Sequence, residues 1–201
     1  MITLYGSASS PNVLKVRLML EEAEMPYREQ RVKRETGENQ SAEYLEISAS
    51  GTLPAIVDDE TGARVFESSA ILLYLGDRSG KFYPQDPASR GDVFKWLLFD
   101  AANVGPAIEN IYKLYYLDDA WVEDAIKFQK TKLRSSLGVI ETRLGVAPYL
   151  AGECSIADFA LLPLSNLLAD FLDQPLSDYP HLERWSLAMK QRPGAQRALG
   201  V

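Results

Sequence analysis

Ser9, Ser10 and Asn12 surround a proline at the point where a short strand, Ile2 to Tyr5, gives way to a helix opening at Pro11. Proline suits a first helical position because its missing N–H would be unpaired there, which makes Ser10 the N-cap and puts Asn12 in the first turn. The unpaired N–H groups of that turn and the positive end of the helix dipole then face the loop, and they favour an anion. A thiolate fits. The same residues also suit plain helix capping, so a second signal is needed.

Two further stretches have the same character. In Gly51-Thr52-Leu53-Pro54-Ala55-Ile56 a proline stands directly before a strand, where it cannot donate to the sheet and where a cis peptide is most often found. Such a bond turns the Leu53 N–H and C=O outward, toward an extended peptide-like ligand; a strand-entry proline with no ligand is the alternative. In Phe66-Glu67-Ser68-Ser69-Ala70-Ile71 a strand ends and a helix begins with an acid and two hydroxyls. Ser68 caps that helix or binds a carboxylate at its N-terminus, and Glu67 accepts from an amine. An amine and a carboxylate on one carbon beside a peptide describe the γ-glutamyl end of glutathione.

The elements that must position these residues divide the chain. Residues 1–77 alternate short strands and helices. After the first helix come a strand from Tyr27 to Val32, a short helix from Ser41 to Ile47, a hairpin of Ala55 to Asp58 with Arg64 to Phe66, and a helix from Ser68 to Leu75. The order βαβαββα gives a small mixed sheet with helices on its faces. Residues 78–87 hold Tyr83-Pro84-Gln85-Asp86-Pro87 and read as a linker. Residues 88–201 read as all-helical: Ala88 to about Leu117, Trp121 to about Leu144, a helix after Gly152 opened by the capping box Ser155-Ile156-Ala157-Asp158, then His181 to Gln191 and Pro193 to Leu199.

Composition narrows the chemistry. The 201 residues are 46% hydrophobic, enough for a sizeable core, and the net charge of −7 leaves no basic footprint for nucleic acid. No segment approaches the ~20 apolar residues of a membrane span and no leader pattern opens the chain, so a soluble cytoplasmic protein is expected. One cysteine, Cys154, excludes an internal disulfide, and one histidine, His181, excludes a multi-histidine metal site; no metal is expected, and His181 suits a helix start.

Taken together, these motifs resemble the cytosolic glutathione transferases over essentially the whole chain. The match lies at Ser9-Ser10-Pro11-Asn12 with Lys15-Val16-Arg17, at Leu53-Pro54, at Glu67-Ser68-x-Ala70-Ile71, and at Leu150-Ala151-Gly152 with Ser155-x-Ala157-Asp158. The resemblance implies a thioredoxin-like α/β domain plus an all-α domain, and a cis bond before Pro54. It further implies glutathione as co-substrate held by Leu53, Pro54, Glu67 and Ser68, a hydrophobic electrophile as second substrate, and a homodimer. The region that relatives bury holds Ser69, Ile71, Leu72, Tyr74, Arg90, Phe94 and Leu97 here, to be split between the core and an outward face. Asn39 and Thr52 are added as glutathione contacts, Asn39 standing near a position that reaches the glycine end in some relatives, with Gln40 competing. Trp96, Phe99, Asn103 and Tyr112 are the expected second-substrate wall. Relatives differ on whether the thiol partner stands two residues before the proline, which selects Ser9, or directly before it, which selects Ser10 with Asn12 assisting; Tyr5 lies near where other members carry a catalytic tyrosine. The loop Ser48-Ala49-Ser50-Gly51-Thr52 departs from the Asn-Pro-x-Gly common in relatives but keeps the glycine.

Thiol chemistry makes the mechanism concrete. A thiol of pKa ~8.5 is only a few per cent ionised at neutral pH, so lowering it by ~2 units makes the thiolate dominant. A hydroxyl hydrogen bond and a helix N-terminus supply such a shift without a protein base. Transfer of glutathione sulfur to an electrophile is the leading expectation. The alternatives are reduction of disulfides or peroxides with two glutathione molecules, and a non-catalytic binding module.

Overall fold

The structure is a computed structural model that describes residues 1–117, 119, 121–168 and 176–200. It forms two compact units, Met1–Gln85 with Gln191–Val201, and Asp86–Lys190.

The first unit is built on a four-stranded sheet in the order β2-β1-β3-β4. The strands are β1 (Ile2–Gly6), β2 (Tyr27–Arg31), β3 (Ala55–Asp58) and β4 (Arg64–Phe66). β1 and β3 are central and buried, whereas β2 reads Tyr-Arg-Glu-Gln-Arg and is mostly exposed, as a charged edge strand should be. β1 and β2 run parallel, so the connection between them must cross a face of the sheet, and α1 (Pro11–Ala23) makes that crossing. Its buried residues include Val13, Val16, Leu18, Met19 and Leu20. The short α2 (Ala42–Leu45) is capped by Ser41, whose hydroxyl accepts from Tyr44 N–H at 3.2 Å. β3 and β4 form the expected hairpin with the expected limits. α3 (Ser68–Ser79) runs one turn past Leu75 and stops at Gly80, which takes a left-handed conformation at φ 66°. Residues 78 and 79 therefore belong to the helix and not to the linker.

The final helix departs from the expected division at residue 88. α9 (Pro193–Leu199) packs on α1 and belongs to the first unit. Glu22, in α1, is the anchor: its Oε2 accepts from Arg192 Nε at 3.0 Å and Nη2 at 2.6 Å, and its Oε1 accepts from Ala195 N–H at 2.9 Å. A carboxylate thus satisfies an orphan donor at the start of another helix. Gly194 allows the approach, since a Cβ there would lie 2.7 Å from the backbone of Glu22. Sequence reasoning missed this because nothing local links Arg192 to Glu22.

The second unit opens with α4 (Pro87–Phe99), capped by Asp86, which accepts from the N–H groups of Ala88 and Ser89 at 3.1 Å each. The single helix expected from Ala88 to Leu117 is interrupted by a π turn, Asp100–Val104, before α5 (Gly105–Leu114). Pro106 lacks an N–H and its ring crowds the carbonyl four residues back, and the wider turn, closed by Gly105 N–H on Asp100 O, relieves this. α6 (Val122–Val146), α7 (Ile156–Ser165) and α8 (Pro180–Lys190) follow. Every residue of α7 is buried. The capping box forms as read, and Asp158 does more than close it: Oδ2 accepts from Ser155 N–H and hydroxyl at 3.0 and 3.3 Å, while Oδ1 accepts from Leu150 N–H at 3.1 Å and Trp185 Nε1 at 2.8 Å.

In the region of the expected dimer face, Ile71, Leu72 and Leu97 are fully buried and fall to the core side, because the inner stripes of α3 and α4 need them. On the outer side of α4, Phe94 and Leu98 are exposed at 39% and 56%.

Two buried carboxylates generate predictions. Burial pushes the Asp58 carboxyl up, but the Tyr74 hydroxyl at 2.7 Å, the Glu60 N–H at 3.0 Å and Arg78 Nε at 3.2 Å outweigh it and hold the group at about 2. A depressed folded pKa stabilises above the unfolded value and the contribution is lost as pH falls through the folded one. Urea unfolding of wild type against Asp58→Asn should therefore show a gap on the order of 2 kcal/mol at pH 6 that closes between about pH 4 and pH 2. Asp158→Ala strands several buried donors at once and should cost on the order of 3 kcal/mol in the same assay.

Candidate functional site

Strand register brings the three sequence motifs together. Tyr5 pairs with Ala55, and Ala55 pairs with Phe66, so one end of the sheet carries the exit of β1, the entry of β3 and the exit of β4 side by side. At about 4.8 Å per strand, the backbone leading to Ser10, the Leu53-Pro54 pair and Glu67 all start within about 10 Å.

At the first of these, Ser10 takes the N-cap conformation of α1, φ −80° and ψ 122°, with Pro11 at the first helical position. Its carbonyl accepts from Leu14 N–H at 3.0 Å and its N–H donates to Ser7 O at 3.1 Å. Its hydroxyl makes no capping bond. The half-buried side chain therefore leaves the first-turn N–H groups to whatever enters the loop. Ser9 is exposed, and its hydroxyl lies 3.3 Å from that of Ser7. Asn12 is half-buried in the first turn. Gly6 keeps the loop close to the helix, because a Cβ there would stand 2.6 Å from a Val13 methyl. Tyr5 packs its ring against Tyr44, with centroids 6.2 Å apart, in a cluster with Val32, Ile47, Leu53, Ala55 and Phe66. Packing accounts for it.

The Leu53-Pro54 bond is cis, as read from sequence. The preceding loop is held from inside. Asn39 Nδ2 donates to Gly51 O at 2.8 Å, and the Thr52 carbonyl accepts both the Tyr44 hydroxyl at 2.7 Å and the Ser48 hydroxyl at 3.1 Å. Thr52 Oγ1 lies 2.6 Å from Ser50 Oγ. Gly51 has φ 64°, and a Cβ on it would fall 2.3 Å from Gln40 Nε2 and 2.9 Å from Asn39 O, so the turn needs glycine twice over. Burial pushes the Tyr44 hydroxyl up to about 12, which keeps it a donor at neutral pH. Sequence reasoning passed over Tyr44 and Ser48; their only signal was a hydroxyl-rich loop beside a conventional core tyrosine.

At the third stretch, Glu67 and not Ser68 occupies the N-cap of α3, and Ser68 is the first helical residue. Glu67 is exposed, makes no side-chain cap, and sits at φ 69°, a conformation costing a non-glycine residue on the order of 1 kcal/mol.

The expected second-substrate residues lie in the helical unit. Trp96 is only 9% exposed and meets Phe99 edge-on at 5.7 Å, so it is chiefly core. Asn103 is exposed and donates to Phe99 O at 3.1 Å across the π turn. Tyr112 is exposed and pairs with Tyr116, whose hydroxyl donates to it at 3.1 Å. Cys154 is half-buried, with Sγ 4.0 Å from Met189 Sδ, and the His181 N–H donates to Glu141 at the start of α8. Among the described residues no cluster of three or more His, Cys, Asp or Glu could hold a metal ion, and no helix is long and apolar enough to cross a membrane.

Comparison with known proteins agrees with this layout. Residues 9–78 match the glutathione S-transferase N-terminal domain and residues 106–193 the glutathione S-transferase C-terminal domain. The disulfide-bond oxidoreductase YfcG of Escherichia coli is 33% identical, over 99% of this chain and 94% of that protein. Glutathione S-transferase GstB of the same organism is 28% identical over 100% and 99%. Among solved structures, a glutathione transferase family member from Pseudomonas fluorescens, with two glutathione bound, superposes at a TM-score of 0.88 with 31% identity, covering 98% of this chain and 92% of that one. A strand-and-helix arrangement that gathers the three sequence motifs at one sheet end, matched along nearly the full length of such relatives, means that this chain belongs to the glutathione S-transferase family.

Proposed function

We propose that the chain binds glutathione at the shared end of its sheet, ionises the thiol against the Ser10 hydroxyl and the start of α1, and uses it to reduce disulfides. The observation that carries this is the Ser10 side chain, which holds the N-cap position without capping and so leaves both its own hydrogen and the first-turn N–H groups for an anion. Glu67 and Ser68 then receive the γ-glutamyl amine and carboxylate, and the Leu53 backbone pairs with the peptide. The thiolate attacks one sulfur of a disulfide, the S–S bond breaks, and the released thiolate takes a proton. A second glutathione thiolate attacks the mixed disulfide and leaves oxidised glutathione and a second thiol. The exchange needs no protein cysteine.

Disulfide reduction is preferred over the leading sequence expectation because the 33%-identical relative bears that activity in its name and a solved neighbour holds two glutathione molecules. Transfer to carbon electrophiles is the second reading, favoured by the likeness to GstB. A homodimer through the exposed Phe94 and Leu98 face of α4 is part of the same proposal.

With glutathione and hydroxyethyl disulfide, turnover should exceed that with a chlorinated nitrobenzene; the reverse order would assign the transferase reading, and no turnover with either would assign the binding module. Ser10→Ala should lower kcat/KM by about 10- to 100-fold, the worth of one charge-assisted hydrogen bond, and shift the pH–rate profile to higher pH, while Ser9→Ala stays within about twofold. A larger loss in the Ser9 variant would reassign the thiol partner. Light scattering at micromolar concentration should give twice the 22.4 kDa chain mass.

A further inference from the structure

We propose that Tyr44 and Ser48 are positioning residues for glutathione: by clamping one carbonyl, that of Thr52, they fix the backbone edge at Leu53 on which the tripeptide lies. The inference rests on the glutathione reading above and adds to it two residues that do not touch the ligand.

The β3 ladder begins at Ala55, so the N–H and C=O of Leu53 stand outside it and their direction is not set by the sheet. What sets it must come from the preceding loop. A carbonyl oxygen has two lone-pair directions, and both on Thr52 are filled, one by the Tyr44 hydroxyl at 2.7 Å and one by the Ser48 hydroxyl at 3.1 Å. Both donors are shielded from water, Tyr44 being 4% exposed and Ser48 fully buried. Exchange with solvent is thereby suppressed and the bonds gain strength from the low local dielectric. The Tyr44 ring is fixed in turn by the cluster that also holds Leu53. One residue upstream, Asn39 Nδ2 on Gly51 O continues the same scheme, so two successive carbonyls are anchored by side chains and the next peptide group is left for a ligand. This use of Asn39 differs from the direct contact expected of it.

Preorganised backbone lowers the ordering cost of binding without acting on the sulfur. The expected signature is therefore a change in glutathione KM with kcat preserved. Tyr44→Phe and Ser48→Ala each leave one donor on the carbonyl, and the double variant leaves none. Each single variant should raise the glutathione KM and the calorimetric Kd by about 2- to 5-fold, and the double variant by more than about tenfold, with a coupling between the two because they share one acceptor. The kcat at saturating glutathione and the pH–rate midpoint should not move. Ser165→Ala serves as the stability control: its hydroxyl is buried in the helical unit, donates to Leu162 O at 2.7 Å, and should lower the melting temperature comparably without changing KM. If the double variant does not fold, the two single variants carry the comparison. An unchanged KM in variants of a wild type that binds glutathione overturns the clamp alone, as does an equal fall in kcat with a shifted pH profile. Absence of glutathione binding by the wild type overturns both the clamp and the function it rests on.

Discussion

Two parallel strands that neighbour each other cannot be joined by a tight turn, and much of the first unit follows from that constraint. Because β1 and β2 run in the same direction, the chain must leave β1, cross the sheet as α1 and return. The start of α1 is thus forced to lie just beyond the end of β1, and Pro11 with Ser10 marks the spot. β3 and β4 pair antiparallel in a register that brings their own loop ends to the same edge. A sheet of four short strands is enough to collect a helix N-terminus, an open backbone edge and an acidic corner, although these stand far apart in sequence.

Signals confined to a few residues were legible. The hairpin limits, the Pro11 and Pro193 helix starts and the Ser155 capping box each depend on local chemistry and are read from it, whereas local chemistry left the Leu53-Pro54 bond open and the family resemblance implied its cis form. Features set by distant residues were not. The π turn needs the geometry of the Pro106 ring against a preceding carbonyl, and the partner of Glu22 lies at the far end of the chain. How α3 and α4 divide between core and outward face is not legible, because Ile71, Leu72 and Leu97 satisfy the apolar pattern of either side and only packing decides. At the candidate site, Ser10, Leu53 and Glu67, on which the proposed function rests, drew notice by type. Tyr44 and Ser48 did not, since their contribution is to aim another residue's backbone, for which no sequence pattern exists.

Buried carboxylates recur as the polar anchors of both units, and they differ in how burial is offset. Asp58 faces a guanidinium and is held low; Asp158 faces only neutral donors, and burial pushes it up to about 6 in spite of four of them. The two respond to acid in opposite senses: lowering pH through 6 eases the burial of Asp158 before it begins to neutralise Asp58 near 2. Within the first unit Glu22 is likewise buried, 5% exposed, and bonded to Arg192. In these three carboxylates buried charge meets a backbone donor that would otherwise be left unsatisfied.

The attachment of α9 to α1 gives the first unit an unusual biosynthetic history. Its sheet and first three helices leave the ribosome early, but the segment that covers α1 follows only after the whole of the second unit has been made. Until then Glu22 has no Arg192 and the α1 surface beside Gly194 has no cover. Domains that emerge first ordinarily finish folding first. The helical unit is continuous in sequence, whereas the unit that carries the candidate site is completed by residues that follow it, so a nascent chain stalled before Arg192 holds the candidate residues of the first unit without the helix that braces α1.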